Sequence, residues 1–79
     1  MKHTPRINRI NDTINRVFPG NNDAWWVNNE TLAPHEVTLH RGYGGDGIDP
    51  RDVAKTIFRT EKSVHTVKDN YSLATYRRQ

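Results

Sequence analysis

Apolar residues recur at helical spacing near the start of the chain. Four of them follow one another at intervals of three, four and three residues: Ile7, Ile10, Ile14 and Val17. This spacing places all four on one face of a helix. Thr4 and Pro5 stand where an N-cap and a first-turn proline belong, and Pro19 disfavours helical geometry at the residue before it. The pattern therefore predicts an amphipathic helix from Pro5 to Val17.

A second amphipathic stretch follows the glycine-rich segment in the middle of the chain. Its apolar positions again have helical spacing: Val53, Ala54, Ile57 and Phe58. Asp49 is a suitable N-cap, Pro50 a suitable first helical residue, and Asp52 adds a negative charge where the helix dipole favours it. Ile48 and Val53 can close over the start of the helix as a hydrophobic staple. These independent signals predict that a helix begins at Pro50.

Between these two helices the apolar residues alternate with polar ones, which is typical of a half-buried strand. Within residues 35 to 42, Val37 and Leu39 fall on one side of the strand and polar residues on the other. The preceding AWWV segment holds two adjacent tryptophans, which would point to opposite faces of a strand. We predict two antiparallel strands, at residues 24 to 29 and 35 to 42, joined by a loop.

The tail of the chain also alternates, and we predict a β-hairpin there. The β-branched segment SVHTV leads into Asp69 and Asn70, two residue types that tolerate the positive φ of a two-residue turn. That turn would place five residues on the core side: Val64, Thr66, Tyr71, Leu73 and Thr75. A helical tail is the alternative, because four residues also fit helical spacing: Val64, Val67, Tyr71 and Ala74. The β-branching and the central Asp-Asn pair favour the strands.

These elements predict one α+β domain spanning residues 1–79, with the order α-β-β-α-β-β. Two helices packed on one face of a mostly antiparallel four-stranded sheet would bury both apolar stripes. The other face would then lie open, and a tryptophan on it would be a candidate for dimerisation or partner binding. A chain of 79 residues is near the size at which one core is only marginally sufficient, so a homodimer is a candidate assembly.

Composition narrows the class of protein. The chain has no cysteine, which excludes disulfides and cysteine-ligated zinc. No apolar run is long enough to cross a bilayer, and the first residues lack the apolar segment of a signal peptide. We therefore expect a cytoplasmic protein without a membrane partner. The net charge of +3 is mildly basic, but the Lys and Arg residues are spread along the chain rather than gathered in one run.

A glycine pattern lies between the second strand and the second helix. Gly42, Gly44 and Gly47 match the G-x-G-x-x-G order of a dinucleotide-binding turn. Asp46 and Asp49 would repel a pyrophosphate at that place, and the chain is too short for the nucleotide-binding fold. We therefore interpret the glycines as a flexible connection and predict no cofactor.

No other motif indicates metal binding or catalysis. The segment HEVTLH, from His35 to His40, has one residue too many for a zinc-protease motif, and residues five apart on a strand face opposite ways. Ser63 and Ser72 lack the context of a nucleophile elbow. We predict no metal ligand and no catalytic residue.

Aromatic and basic residues supply the candidate contacts with a partner. Tryptophan and arginine are enriched among interface anchors, and arginines with stacking rings could also contact nucleic acid. The candidate partner-binding residues are Arg6, Arg9, Arg16, Trp25, Trp26, Tyr43, Arg77 and Arg78. The arginines and the tryptophans also have purely structural explanations. The helix arginines can pair with Asp12, and both tryptophans can lie in the core.

We expect a non-enzymatic interaction domain that binds a macromolecular partner, foremost a protein, as an inhibitor, regulator or adaptor. This mode is common among accessory proteins of phages and mobile elements. The alternative is a nucleic-acid-binding protein that uses the first helix and the C-terminal arginines. Its affinity would then fall steeply with salt.

Overall fold

The computed structural model describes residues 4–43 and 47–79. In chain order its elements are α1 (Pro5–Val17), β1 (Trp25–Trp26), β2 (Glu36–Arg41), α2 (Pro50–Phe58), β3 (His65–Asp69) and β4 (Leu73–Arg77). The strands form one antiparallel sheet in the order β1-β2-β4-β3. The predicted α+β class and element order are confirmed, and the tail is a hairpin rather than a helix.

Both helices begin where the sequence predicts. Thr4 Oγ1 accepts a hydrogen bond from the Ile7 N–H at 3.2 Å, and the Asp49 carboxylate accepts one from the Arg51 N–H at 2.9 Å. A proline follows each cap. These bonds satisfy backbone donors that the first turn of a helix leaves without a helical partner.

At the end of α2, Arg59 adopts the left-handed conformation with φ 55° and ψ 49°, which is uncommon for a residue other than glycine. The Arg59 N–H bonds to the Thr56 carbonyl and the Thr60 N–H to the Lys55 carbonyl, each at 3.1 Å. This is the Schellman arrangement, in which glycine usually holds the left-handed position. A residue with a Cβ costs about 1 kcal/mol there, so Arg59 lowers stability relative to glycine.

The core lies between the two helices and one face of the sheet. On that face, Val37 and Leu39 of β2 stand opposite Tyr76 and Ala74 of β4. Trp25 joins the same cluster, with 4 % of its surface exposed. The helices contribute Ile7, Ile14, Val53, Ala54 and Phe58.

The hairpin turn lies two residues beyond its predicted position. Asn70 donates its N–H to the Leu73 carbonyl at 2.9 Å, and its side-chain oxygen accepts from the N–H groups of Ser72 and Leu73. Tyr71 and Ser72 are therefore the central turn residues, in place of Asp69 and Asn70.

The predicted core side of the hairpin is also wrong for β4. Val64 is buried as expected, but Tyr71 is 89 % exposed and Thr75 lies on the opposite face of the sheet from the core. Leu73, also predicted on the core side, pairs with His40 on the opposite face. Thr66 of β3 pairs with Tyr76 on the core side, as predicted, but it is exposed. The pairing with β2 sets the register of β4, and it directs the large ring of Tyr76 to the core face.

β1 is shorter than the predicted strand at residues 24 to 29. Asn28 ends it, because the Asn28 Oδ1 accepts hydrogen bonds from the N–H groups of Glu30 and Thr31, each at 3.0 Å. Such a side-chain turn draws the backbone away from the sheet.

Two asparagine side chains complete the hydrogen bonding of the β1 edge. Asn21 accepts from the Trp25 N–H at 3.0 Å and donates to the Trp25 carbonyl at 3.1 Å. Asn11, on α1, does the same for Val27, with both bonds at 3.0 Å. Asn15 of α1 accepts a further bond from Asn21 at 2.7 Å. Each carboxamide takes the place of a neighbouring strand, so this edge of the sheet is closed.

We predict that Asn21→Ala destabilises the fold far more than Asn8→Ala. Asn21 is fully buried, and its loss leaves the Trp25 N–H and carbonyl without partners, at a cost of about 2–4 kcal/mol. Asn8 is exposed on α1, so its replacement should change the free energy of unfolding by less than about 0.5 kcal/mol. Urea denaturation followed by circular dichroism measures both variants. Equal stabilities would contradict the proposed edge contact.

We also predict that Gly42→Ala destabilises the protein by about 1–3 kcal/mol. A Cβ at this position would lie 2.8 Å from the Asp23 carbonyl oxygen, which is a backbone atom that cannot easily move. Gly20→Ala is the matched control, since a Cβ there would lie 3.6 Å from Ile48 Cδ1, an ordinary contact. Thermal denaturation should show the control at or slightly above wild-type stability. A Gly42→Ala protein as stable as the control would show that the close approach is not a constraint.

Candidate functional site

The helices pack on one face of the sheet and leave the opposite face without a helical cover in the described parts of the chain. On that side, cross-strand pairing aligns Trp26 with His40 and His40 with Leu73, and it aligns Thr38 with Thr75. We call this surface the uncovered face. Its residues on β1, β2 and β4 are Trp26, Glu36, Thr38, His40, Leu73, Thr75 and Arg77.

Trp26 is the largest side chain on the uncovered face, and it is partly buried there. Its ring stacks on His40, with centroids 4.6 Å apart and planes 25° from parallel. His40 Nε2 lies 3.3 Å from Asn28 Nδ2. Because Asn28 Oδ1 already accepts the N–H groups of the next loop, the Asn28 amide donates and His40 Nε2 accepts. The loop after β1 therefore holds the imidazole, and the imidazole supports the indole.

A cleft of about 550 Å³ lies beside Trp26 where α1 passes the edge of the sheet. Asn8, Asn11 and Asp12 of α1 line it, together with Asp23 of the turn before β1. Asp23 is fixed in place by a hydrogen bond from Asn15 Nδ2 at 2.6 Å. Two carboxylates beside an aromatic ring make this cleft suited to a cationic group.

The rest of the uncovered face consists of paired polar side chains. The hydroxyl oxygens of Thr38 and Thr75 lie 2.8 Å apart and share a hydrogen bond. Arg77 donates to Glu36 at 3.2 Å, and both side chains are exposed. Such an exposed ion pair contributes little to stability.

The structure places the two tryptophans that were candidate partner-binding residues in different environments. Trp25 is a core residue, and the Arg41 guanidinium lies 5.1 Å above its ring, so Trp25 does not belong to the site. Trp26 lies on the uncovered face. Tyr43 is 99 % exposed at the end of β2, where it borders a small hollow of about 220 Å³ with Tyr71.

The predicted arginines are divided between surfaces. Arg77 lies on the uncovered face, whereas Arg6, Arg9 and Arg78 lie on the helical side of the molecule. Arg16 is exposed on α1. Within the residues that the structure describes, Asp12 forms no ion pair with the helix arginines, so the competing explanation of these arginines by pairing with Asp12 does not hold.

Three residues that surround the Trp26–His40 pair or belong to it were not among the candidates: His40 itself, Asn28, which bonds to His40, and Leu73, which pairs with His40 across the sheet. The alternation in residues 35 to 42 already placed His40 on the side away from the apolar residues, so this signal was present. The partnership with Trp26 depends on the β1–β2 register, and that register is a long-range property of the fold.

The histidine and glycine patterns of the sequence have structural roles at the positions that the structure describes. His35 precedes β2 and His40 lies within it, and no group of three or more metal-ligating side chains occurs among the described residues. The glycine pattern includes residues 44–46, which lie outside the described residues. Of its remaining glycines, Gly42 is required by the close approach to Asp23. No helix in the described ranges is both long and apolar enough to span a membrane.

Comparison with protein-family models, with curated proteins and with solved structures finds no match to this chain.

Behind the uncovered face, Tyr76 of β4 lies in the core. Burial raises the pKa of Tyr76 above its ordinary value of 10.0, and the negative charges of Asp69 and Asp49 act in the same direction. Arg51 opposes this shift through its charge and a hydrogen bond. The same guanidinium donates to Thr66 Oγ1 at 2.9 Å, so Arg51 connects α2 to the hairpin.

We predict that Tyr76 makes the protein lose stability in alkali. The folded protein holds the Tyr76 proton more tightly than the unfolded chain, so this contribution is complete below about pH 10 and is lost as pH rises through the raised pKa. Denaturation at pH values from about 8 to 11 should show a shallower decline for Tyr76→Phe than for wild type. Tyr71→Phe, at an exposed position, should follow wild type. If wild type, Tyr76→Phe and Tyr71→Phe lost stability in parallel as pH rises, Tyr76 would not be the residue responsible for the loss.

Proposed function

We propose that this protein is a non-enzymatic binding domain that contacts a protein partner through the uncovered face, with Trp26 as its anchor. The observation that carries the proposal is the stacked Trp26–His40 pair on a sheet face that neither helix covers. Tryptophan is enriched among the residues that dominate binding energy at interfaces.

The uncovered face is held in shape by its own contacts. Asn28 fixes His40, which supports Trp26, and the bonded hydroxyls of Thr38 and Thr75 link β2 to β4. A preorganised surface loses less side-chain freedom on binding, so more of the contact energy remains as affinity.

Both edges of the sheet disfavour binding by strand addition. Asn11 and Asn21 occupy the outer edge of β1. β3 has a register irregularity between Thr66 and Lys68, and an irregular edge with a lysine is a poor template for another strand. These features support contact through the face of the sheet.

The cleft beside Trp26 indicates the chemistry of the partner. Asp12 and Asp23 offer carboxylates next to an indole ring, which fits an arginine or lysine side chain. We infer a partner segment that places a basic side chain in the cleft and apolar surface on Trp26 and Leu73.

Binding rather than catalysis is proposed because the polar groups of the uncovered face are engaged with one another. Thr38 bonds to Thr75, Glu36 pairs with Arg77, and the bonded nitrogen of His40 faces Asn28 instead of a hydroxyl. A domain of this kind would act as an inhibitor, regulator or adaptor by occupying a surface of its partner.

Nucleic-acid binding is the second candidate function. The supporting observation is that Arg6, Arg9 and Arg78 come together on the helical side. Titration of labelled single- and double-stranded oligonucleotides at low and moderate salt tests this function. Binding weaker than about millimolar at low salt would exclude it.

We expect Trp26→Ala to weaken partner binding about thirtyfold, which corresponds to the loss of about 2 kcal/mol at an interface anchor. The tagged wild type and the tagged variant are each used to capture proteins, and mass spectrometry compares the amounts that each captures. Calorimetry with the purified partner then gives the affinity. Val17→Ala is the control, because it removes a half-exposed apolar side chain from the end of α1, outside the uncovered face. The control should bind as wild type does.

A second variant, Asp12→Asn, tests the cleft without removing the indole. Asp12 is exposed, so circular dichroism should show an unchanged fold while affinity falls severalfold. Wild-type affinity in both Trp26→Ala and Asp12→Asn would rule out the uncovered face as the binding surface.

A further inference from the structure

A groove runs between α1 and α2 on the side of the molecule away from the uncovered face. It consists of two adjoining hollows of about 350 and 250 Å³, which share Arg6, Ile10, Ile57 and Arg59. Ile10 and Ile57 are partly buried and form an apolar floor. We call this the interhelical groove.

Four arginines surround the interhelical groove: Arg6, Arg9, Arg59 and Arg78. All four are exposed, and no aspartate or glutamate among the residues that the structure describes lines either hollow. Within residues 4–43 and 47–79, none of the four lies at ion-pair distance from a carboxylate. Their positive charges therefore repel one another across an apolar floor, and an anionic ligand would relieve this repulsion.

The backbone conformation of Arg59 is a second, independent reason to consider the interhelical groove a binding site. It borders both hollows, and it holds the left-handed position at the end of α2, where glycine would be free of strain. A strained residue at a candidate site is a reason to test for function, because the fold itself would favour another residue there.

We propose that the interhelical groove binds an acidic protein segment that also carries aliphatic side chains. Its carboxylates would contact the arginines, and its aliphatic groups would cover Ile10 and Ile57. Nucleic acid fits less well, because Ile10 and Ile57 form the floor shared by both hollows. The one aromatic side chain among the described lining residues, Phe58, is 7 % exposed and packed in the core, so it offers no face for base stacking. This site is distinct from the uncovered face, and the proposal does not depend on Trp26.

The probe for the test is a fluorescein-labelled peptide in which glutamate and leucine recur at helical spacing. Fluorescence anisotropy measures its binding to the full chain. We expect two control peptides to bind at least about tenfold more weakly, one with glutamine in place of glutamate and one with serine in place of leucine. Binding of the first peptide should weaken as salt is raised.

Arg59→Gly separates binding from folding. Its thermal midpoint should equal or exceed that of wild type, because the left-handed strain is removed, while its affinity for the peptide falls severalfold. Arg16→Gln is the matched control, since it removes one arginine charge from α1 at a position that does not line the groove. It should bind the peptide nearly as wild type does, and so should Trp26→Ala.

Three results would overturn the proposal. The first is equal binding of the peptide by wild type and Arg59→Gly. The second is failure of the peptide to bind at about millimolar concentration in low salt. The third is tighter binding of a labelled single-stranded oligonucleotide than of the peptide, with the same loss in Arg59→Gly, which would assign the groove to nucleic acid.

Discussion

Side-chain amides of α1 and of the turn after it hold the edge of β1, and the placement of the two tryptophans depends on them. Asn11 bonds to both backbone groups of Val27, and Asn21 bonds to both backbone groups of Trp25. A short strand with an unpaired edge would otherwise have no fixed orientation relative to the neighbouring helix. Because the amides fix that orientation, α1 shares a core with Trp25 and leaves Trp26 on the opposite face.

The register between β1 and β2 places the two adjacent tryptophans in different environments. Pairing with Arg41 directs Trp25 toward the core, where the guanidinium lies over its ring. Pairing with His40 directs Trp26 to the uncovered face, where the stacked imidazole limits its motion. A two-residue strand is sufficient for this, since successive side chains of a strand must point to opposite faces. A large aromatic side chain is thus presented at a defined place on the sheet.

The sequence predicts the helices well because their signals are local, as at Thr4 and Asp49, whose side chains bond to groups within three residues. The hairpin is predicted less well. Burial of Tyr76 depends on Val37, which is distant in the chain, and the turn depends on the side chain of Asn70 rather than on its backbone preference. For the candidate site, an open face with a tryptophan could be predicted. Which tryptophan lies there could not, because no hydrophobic pattern encodes an asparagine that replaces a strand.

α1 presents charges of opposite sign on two of its flanks. One flank of the helix presents Arg6 and Arg9 to the interhelical groove, and another presents Asp12 to the cleft beside Trp26. Arg59 reaches the same groove only because α1 and α2 lie side by side in the fold. A count of charges along the sequence shows only a mild excess, whereas the fold gathers three of the arginines at the interhelical groove and two carboxylates at the cleft beside Trp26. Because the two surfaces lie on different flanks of α1, occupation of one would leave the other accessible.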